Sequence, residues 1–115
     1  MSRYDAFTKS LEDYKGDSNC PVFKSLELLQ GKWTLKVIFF LLKNECMRFG
    51  ELKKAIPQIT NTMLTATLRE LEQSNIVKRV QYNEIPPHVE YSLTEQGKAL
   101  LSVFYELGCW GKDYL

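Results

Sequence analysis

Three features of the 115-residue chain predict a mainly α-helical fold with a small β-hairpin. Apolar residues recur at spacings of three and four in most segments, which is typical of helices that pack on a core. Between Ile76 and Leu93 the pattern changes to loose alternation, which indicates strands. The hydrophobic fraction of 44% and the charged fraction of 25% are ordinary for a soluble globular protein and exclude a disordered or collagen-like chain.

Length and composition narrow the possible classes of protein further. A chain of this length is expected to form one domain with a small core. Its richest apolar run, Val37 to Leu42, is far shorter than the roughly 20 residues of a membrane span, so no membrane partner is expected. The polar, charged start predicts no signal peptide, and an odd number of cysteines, three, fits a reducing, cytoplasmic location.

The first segment is predicted to be a helix with a narrow apolar seam. The seam packs either on its own domain or on a second subunit, and we favour the second. Residues 1–19 are therefore predicted to form an N-terminal helix and a polar linker, over 15–19, that contribute to dimerisation. The seam residues, spaced 3, 4 and 3 apart, are Tyr4, Phe7, Leu11 and Tyr14.

Two helices and a short strand follow. Cys20-Pro21 predicts the start of the first of these helices, because proline is favoured at the first helical position, and Gly31 ends it. Trp33 to Lys43 is apolar almost all round, which predicts a central buried helix. Cys46 to Phe49 is predicted to form a very short strand.

A short helix over residues 50–56, ended by Pro57, precedes a longer helix that Thr60 or Asn61 can cap. The longer helix ends at Asn75. Its predicted buried face carries Leu64, Leu68 and Leu71.

The hairpin consists of strands over 76–82 and 89–93, joined by a segment with two prolines. Thr94 is then predicted to cap one long final helix, and residues 95–115 are predicted to be a dimerisation helix. Nine of the twelve residues from 99 to 110 are hydrophobic, too many for one face. The expected interface residues are Leu100, Phe104, Leu107 and Trp110.

This order of elements predicts a winged helix-turn-helix, a DNA-binding domain, over residues 20–94. A helix about 10–12 Å wide fits the major groove, where small polar side chains let it approach the base edges. Residues 31–80 carry nine basic and four acidic groups, so +5, whereas 1–30 and 81–115 carry −1 and −3. The alternative is a solvated charged face. The expected DNA-contacting residues of the longer helix are Asn61, Thr62, Thr65, Ala66 and Arg69, with Ala66 suited to a thymine methyl.

Contacts with phosphates fix the register of a protein on DNA and need cations around the reading helix. Any one of the candidates is also an ordinary surface charge. They are Lys32, Arg48, Lys53, Lys54, Lys78, Arg79 and His88.

Several motifs occur together, namely Cys20-Pro21-Val22, Gly31-Lys32-Trp33-Thr34, Arg48-Phe49-Gly50-Glu51-Leu52, Thr67-Leu68-Arg69-Glu70-Leu71-Glu72 and Pro87-His88-Val89-Glu90-Tyr91-Ser92-Leu93-Thr94, with Gly97. Over residues 20 to about 112 the chain resembles the HxlR-type winged helix-turn-helix transcriptional regulators of bacteria, which are related to the MarR group. The resemblance implies a homodimer that binds double-stranded operator DNA, usually near its own or a neighbouring gene. Gly50 and Cys46 depart from the residues more usual at their positions.

Cys20 is the candidate sensing residue. A helix N-terminus favours the thiolate, which is the nucleophilic form, and Lys24 adds positive charge one turn on. The matching cysteine in several family members senses oxidants, quinones or aldehydes, so the resemblance implies a small oxidant or electrophile as effector. The alternative is a small buried apolar residue. Cys46 and Cys109 are predicted to serve packing.

Catalysis is not expected, because the chain has a single histidine, no glycine-rich phosphate loop and no paired ligand spacing for a metal. No cofactor is predicted. Two rival functions stay open: a winged-helix protein–protein interaction module without DNA binding and a thiol-dependent redox enzyme that uses Cys20.

Overall fold

The computed structural model describes residues 2–16 and 20–115. The chain divides between Gln30 and Gly31 into two units, and each is described by itself. The first unit contains α1 (Arg3–Glu12) and α2 (Pro21–Leu29), with proline in the first turn of α2 as predicted. Of the predicted linker over 15–19, residues 17–19 lie outside the described part of the chain.

The second unit is mainly helical with a small sheet, which confirms the predicted fold class. Its short α4, tight turn and α5 form the predicted helix-turn-helix, and β2 and β3 form the wing. In chain order its elements are α3 (Thr34–Lys43), β1 (Met47–Arg48), α4 (Phe49–Ala55), α5 (Asn61–Gln73), β2 (Val77–Tyr82), β3 (His88–Leu93), α6 (Glu95–Lys98) and α7 (Leu101–Tyr114).

The sheet has three antiparallel strands in the order β1-β3-β2, one more than the predicted hairpin. Met47 pairs with Tyr91, and Arg48 pairs with Glu90, so β1 covers the edge of β3 opposite β2. The wing register pairs Val77 with Leu93 and Tyr82 with His88. Side chains alternate between the two faces of each strand, so Val77 and Leu93 are buried on the helix side of the sheet.

The end of the chain forms two helices where one long helix is predicted. Thr94 caps α6, as expected, because its Oγ1 accepts a hydrogen bond from the Gly97 N–H at 3.1 Å. The same hydroxyl donates to the Asn75 carbonyl oxygen at 2.7 Å. Gly97 is buried against the backbone of Ile76, where a Cβ would overlap the carbonyl oxygen. These contacts hold α6 in the second unit, and α7 begins after a turn at Ala99.

The core lies between α3, α5 and the inner face of the sheet. Thr60 caps α5 by accepting a hydrogen bond from the Met63 N–H at 3.1 Å. One face of α5 is buried and the other is exposed, which confirms the predicted amphipathic pattern. The buried core includes Val37, Ile38, Leu41, Leu52, Leu64, Leu68, Leu71, Val77 and Leu93.

Candidate nucleic-acid interface

The outer face of α5 carries four polar side chains and one alanine around a shallow depression. The five residues predicted to contact DNA come together there around one shallow depression of about 360 Å³. Thr65 is half-buried and the other four are exposed, so their side chains are available to a partner while the leucines behind them fix the helix. The residues around the depression are Asn61, Thr62, Thr65, Ala66 and Arg69.

The basic residues of the helix-turn-helix lie on and before α4. Arg48 precedes α4, and its N–H donates to the Glu51 carboxylate at 2.8 Å. Lys53 and Lys54 follow in the last turn. Lys32 lies elsewhere in the second unit, before α3, with its Nζ 5.1 Å from the centre of the Trp33 ring.

The two basic residues of β2 lie on opposite faces of the wing. Arg79, opposite Tyr91, is on the same face as buried Val77, and it lines a cavity of about 340 Å³ beside α5. Lys78, opposite Ser92, is on the other face and lines a separate cavity of about 300 Å³ with Cys46. Arg79 therefore lines a cavity together with the outer face of α5, and Lys78 does not line that cavity.

His88 is held within the wing by a network that the sequence did not indicate. Its Nε2 lies 2.9 Å from Glu90 Oε2 and its Nδ1 lies 3.7 Å from Glu84 Oε2, while the ring stacks on Tyr82 with centroids 4.7 Å apart. Its side chain is only 16% exposed. Both ring nitrogens therefore face carboxylates of the wing itself.

Cys46 and Glu90 extend this network to β1. Cys46 Sγ donates to Glu90 Oε1 across 3.1 Å, joining residues 44 apart in the chain. This hydrogen bond raises the pKa of the Cys46 thiol, and burial and nearby carboxylates add to the effect. The hydrogen bonds from Cys46 and His88 lower the pKa of Glu90. Cys46 is exposed and is therefore not the packing residue that the sequence suggested.

The other two cysteines lie in helices. Cys20 is the N-cap of α2 in the first unit, half-buried, and its side chain makes no capping hydrogen bond. Cys109 is half-buried in α7 of the second unit, and all three cysteines are free. Within the described ranges, no group of three or more His, Cys, Asp or Glu side chains is arranged to hold a metal ion.

The residues predicted for dimerisation leave extensive apolar surface exposed. In the first unit Tyr4, Phe7, Leu11 and Tyr14 are all exposed, and Tyr14 lies beside Phe23 with ring centroids 5.4 Å apart.

No helix in residues 2–16 and 20–115 is both long and apolar enough to span a membrane.

Part of the exposed surface of α7 is an apolar stripe. Val103, Leu107, Trp110 and Tyr114, at spacings of 4, 3 and 4, lie on one side of the helix. Leu100 and Phe104 are half-buried instead, and the Phe104 ring lies 6.1 Å from that of Phe39. Leu101 and Tyr105, outside this stripe, are also exposed, at 61% and 65%.

Known proteins resemble this chain over most of its length. The family described as HxlR-like helix-turn-helix matches residues 28–115. The HTH-type transcriptional regulator YdeP of Bacillus subtilis is 41% identical over 105 residues, covering 91% of this chain and 79% of that protein.

Two solved structures share the fold. A MarR-family transcriptional regulator from Porphyromonas gingivalis W83 superposes with a TM-score of 0.80 at 43% identity, covering 89% of this chain and 99% of that one. The reduced form of the regulator YodB from B. subtilis has a TM-score of 0.75 at 40% identity, covering 83% and 93%. YodB has also been solved after diamide treatment and with a quinone bound.

Proposed function

Because the chain belongs to the HxlR-like helix-turn-helix family, it is a transcriptional regulator and not an enzyme, and we propose that it acts in the cytoplasm by binding double-stranded operator DNA as a homodimer. The observation that carries this proposal is the outer face of α5. There four polar side chains and one alanine surround a shallow depression, and a buried row of leucines and a capped N-terminus hold the helix behind them. A helix of about 10–12 Å diameter enters a major groove about 12 Å wide, where Thr62, Thr65 and Ala66 meet base edges.

The exposed apolar stripe of α7 supports the homodimer. Val103, Leu107, Trp110 and Tyr114 form a surface that is costly to leave in water, and a second copy of the chain offers the same surface by two-fold symmetry. The seam of α1 is proposed to contribute in the same way. The two copies of α5 then read half-sites about one helical turn of DNA, or a multiple of it, apart.

A small oxidant or electrophile is proposed as effector through Cys20. Its thiol is a free, half-buried side chain at the N-cap of a nine-residue helix and makes no capping hydrogen bond. Similarity to YodB, which has been solved with a quinone, supports this class of effector. We infer that modification of Cys20 changes the spacing of the two α5 helices and so releases the DNA.

The test is a titration of the fluorescently labelled DNA upstream of the protein's own gene, at several salt concentrations. We expect specific binding, and the logarithm of the association constant should fall linearly with the logarithm of the salt concentration, because phosphate contacts release counterions. Thr62→Ala is expected to weaken binding to the preferred sequence while leaving binding to random DNA unchanged. Its matched control is Thr8→Ala, a residue of α1 outside the proposed interface with DNA.

If the wild-type protein has no salt-dependent affinity for that DNA or for random DNA, the proposal fails. The winged helix would then be a protein–protein interaction module.

A further inference from the structure

A cavity of about 340 Å³ lies where the recognition helix α5 meets the stem of the wing. Two arginines from different elements line it, Arg69 of α5 and Arg79 of β2. Tyr91, paired with Arg79 across the sheet, adds a phenol, and Glu72 is the only carboxylate among the described lining residues. The cavity therefore carries two positive charges, one negative charge and a further hydrogen-bond donor.

Within the described residues, neither guanidinium is paired with a carboxylate. In the part of the chain that the structure describes, the ion pairs within 4.0 Å are those of His88 and Lys98, and neither arginine takes part in one. Glu72 lines the same cavity but is not within that distance of either arginine. Two guanidinium groups beside one cavity leave a net charge of +1, which suits a monovalent anion with several oxygens.

The position of Arg69 along α5 indicates which anion this is. Arg69 lies eight residues beyond Asn61, about 12 Å along the helix axis. Residues near the N-terminus of a recognition helix contact base edges. A side chain that far along, next to the wing, is expected at the rim of the groove, where the sugar–phosphate backbone passes.

We propose that Arg69 and Arg79 together bind one backbone phosphate of the operator DNA. Arg69 then positions α5 in the groove and does not read a base. This inference rests on the proposed function, and it departs from the expectation that Arg69 is a base-reading residue. It also couples the recognition helix to the wing, because one phosphate is held from both elements.

The experiment is a double-mutant cycle with Arg69→Gln, Arg79→Gln and the double variant. The probe is a labelled duplex selected for binding from random DNA. Each single variant is expected to weaken binding by about 10- to 100-fold per subunit of the dimer, since hydrogen bonds to charged groups are each worth about that factor. The double variant is expected to lose much less than the product of the single losses, because the arginines share one phosphate.

Three further readouts separate a shared phosphate from other roles. Because both subunits of the dimer carry the change, the slope of log affinity against log salt should fall by about two units in the double variant, whereas two separate phosphates in each subunit would lower it by about four. Arg69→Gln should leave the preference at every base pair unchanged. Glu72→Gln should strengthen binding, because it removes the only acid of the cavity.

Each outcome either supports or overturns the shared phosphate site. Relaxed preference at one base pair in Arg69→Gln, or fully additive losses, overturns the shared phosphate while the proposed function stands. Wild-type protein that selects no duplex overturns both. Lys78→Gln, on the opposite face of β2, is the control: its effect should be additive with that of Arg69→Gln.

Discussion

Replacing Trp110 by alanine tests whether the stripe of α7 holds two copies together. Trp110 is 57% exposed. Since an aromatic side chain buries about 150–250 Å², the part still in water is on the order of 100 Å². At about 25 cal/mol per Å², covering it contributes roughly 2.5 kcal/mol. In a two-fold dimer both copies contribute, so Trp110→Ala should weaken dimerisation by about 5 kcal/mol, or more than a thousandfold.

Sedimentation velocity across the micromolar range measures this effect directly. Tyr105→Ala is the matched control, because Tyr105 is 65% exposed on the same helix but lies off the stripe. Circular dichroism should show that both variants remain helical, since neither side chain is buried within the chain. Affinity for operator DNA should fall together with dimerisation. Dimers of Trp110→Ala as tight as those of Tyr105→Ala would refute the proposed role of the stripe.

Three further outcomes are expected. Gly97→Ala should lower the free energy of unfolding in urea by about 1–3 kcal/mol or more, because its Cβ meets the Ile76 carbonyl; Gly50→Ala, in open space, should raise it by up to about 1 kcal/mol. The pKa of Glu90 is lowered, so its contribution to the free energy of unfolding is complete above its ordinary pKa of 4.5 and is lost as the pH falls through the lowered pKa. Glu90→Gln should therefore flatten that part of a plot of stability against pH, and an unchanged plot would contradict this. Cys20→Ser should keep DNA binding and lose release by diamide, whereas release as in wild type would exclude Cys20 as the sensor.

Local sequence patterns predicted the helix-turn-helix well, because the features that define it are short-range. Thr60 caps α5 through a residue three positions on, and three leucines within eight residues form its buried face. The outer face of α5 followed from the same periodicity, since a helix with one face buried presents the other to solvent. Its five predicted residues accordingly surround one depression.

Other features depend on contacts between distant segments and left no periodic signal. β1 has only two residues, so nothing in its pattern shows that it joins β3. The predicted single helix after Thr94 is two helices, and the first of them, α6, packs through Gly97 against Ile76, a backbone contact between residues far apart in the chain. Hydrophobicity alone does not distinguish two consecutive helices from one.

The basic residues show why charge alone predicts a nucleic-acid surface only coarsely. As a sequence, Lys78, Arg79 and His88 form one basic cluster at the wing. In the fold, strand alternation sends Lys78 and Arg79 to opposite faces, and His88 lies between Glu84 and Glu90. Of these three residues, only Arg79 lines the cavity beside α5 of about 340 Å³, which Arg69 also lines. Two guanidinium groups that line one cavity suit a phosphate better than basic residues spread over a hairpin, because both can donate hydrogen bonds to the same anion.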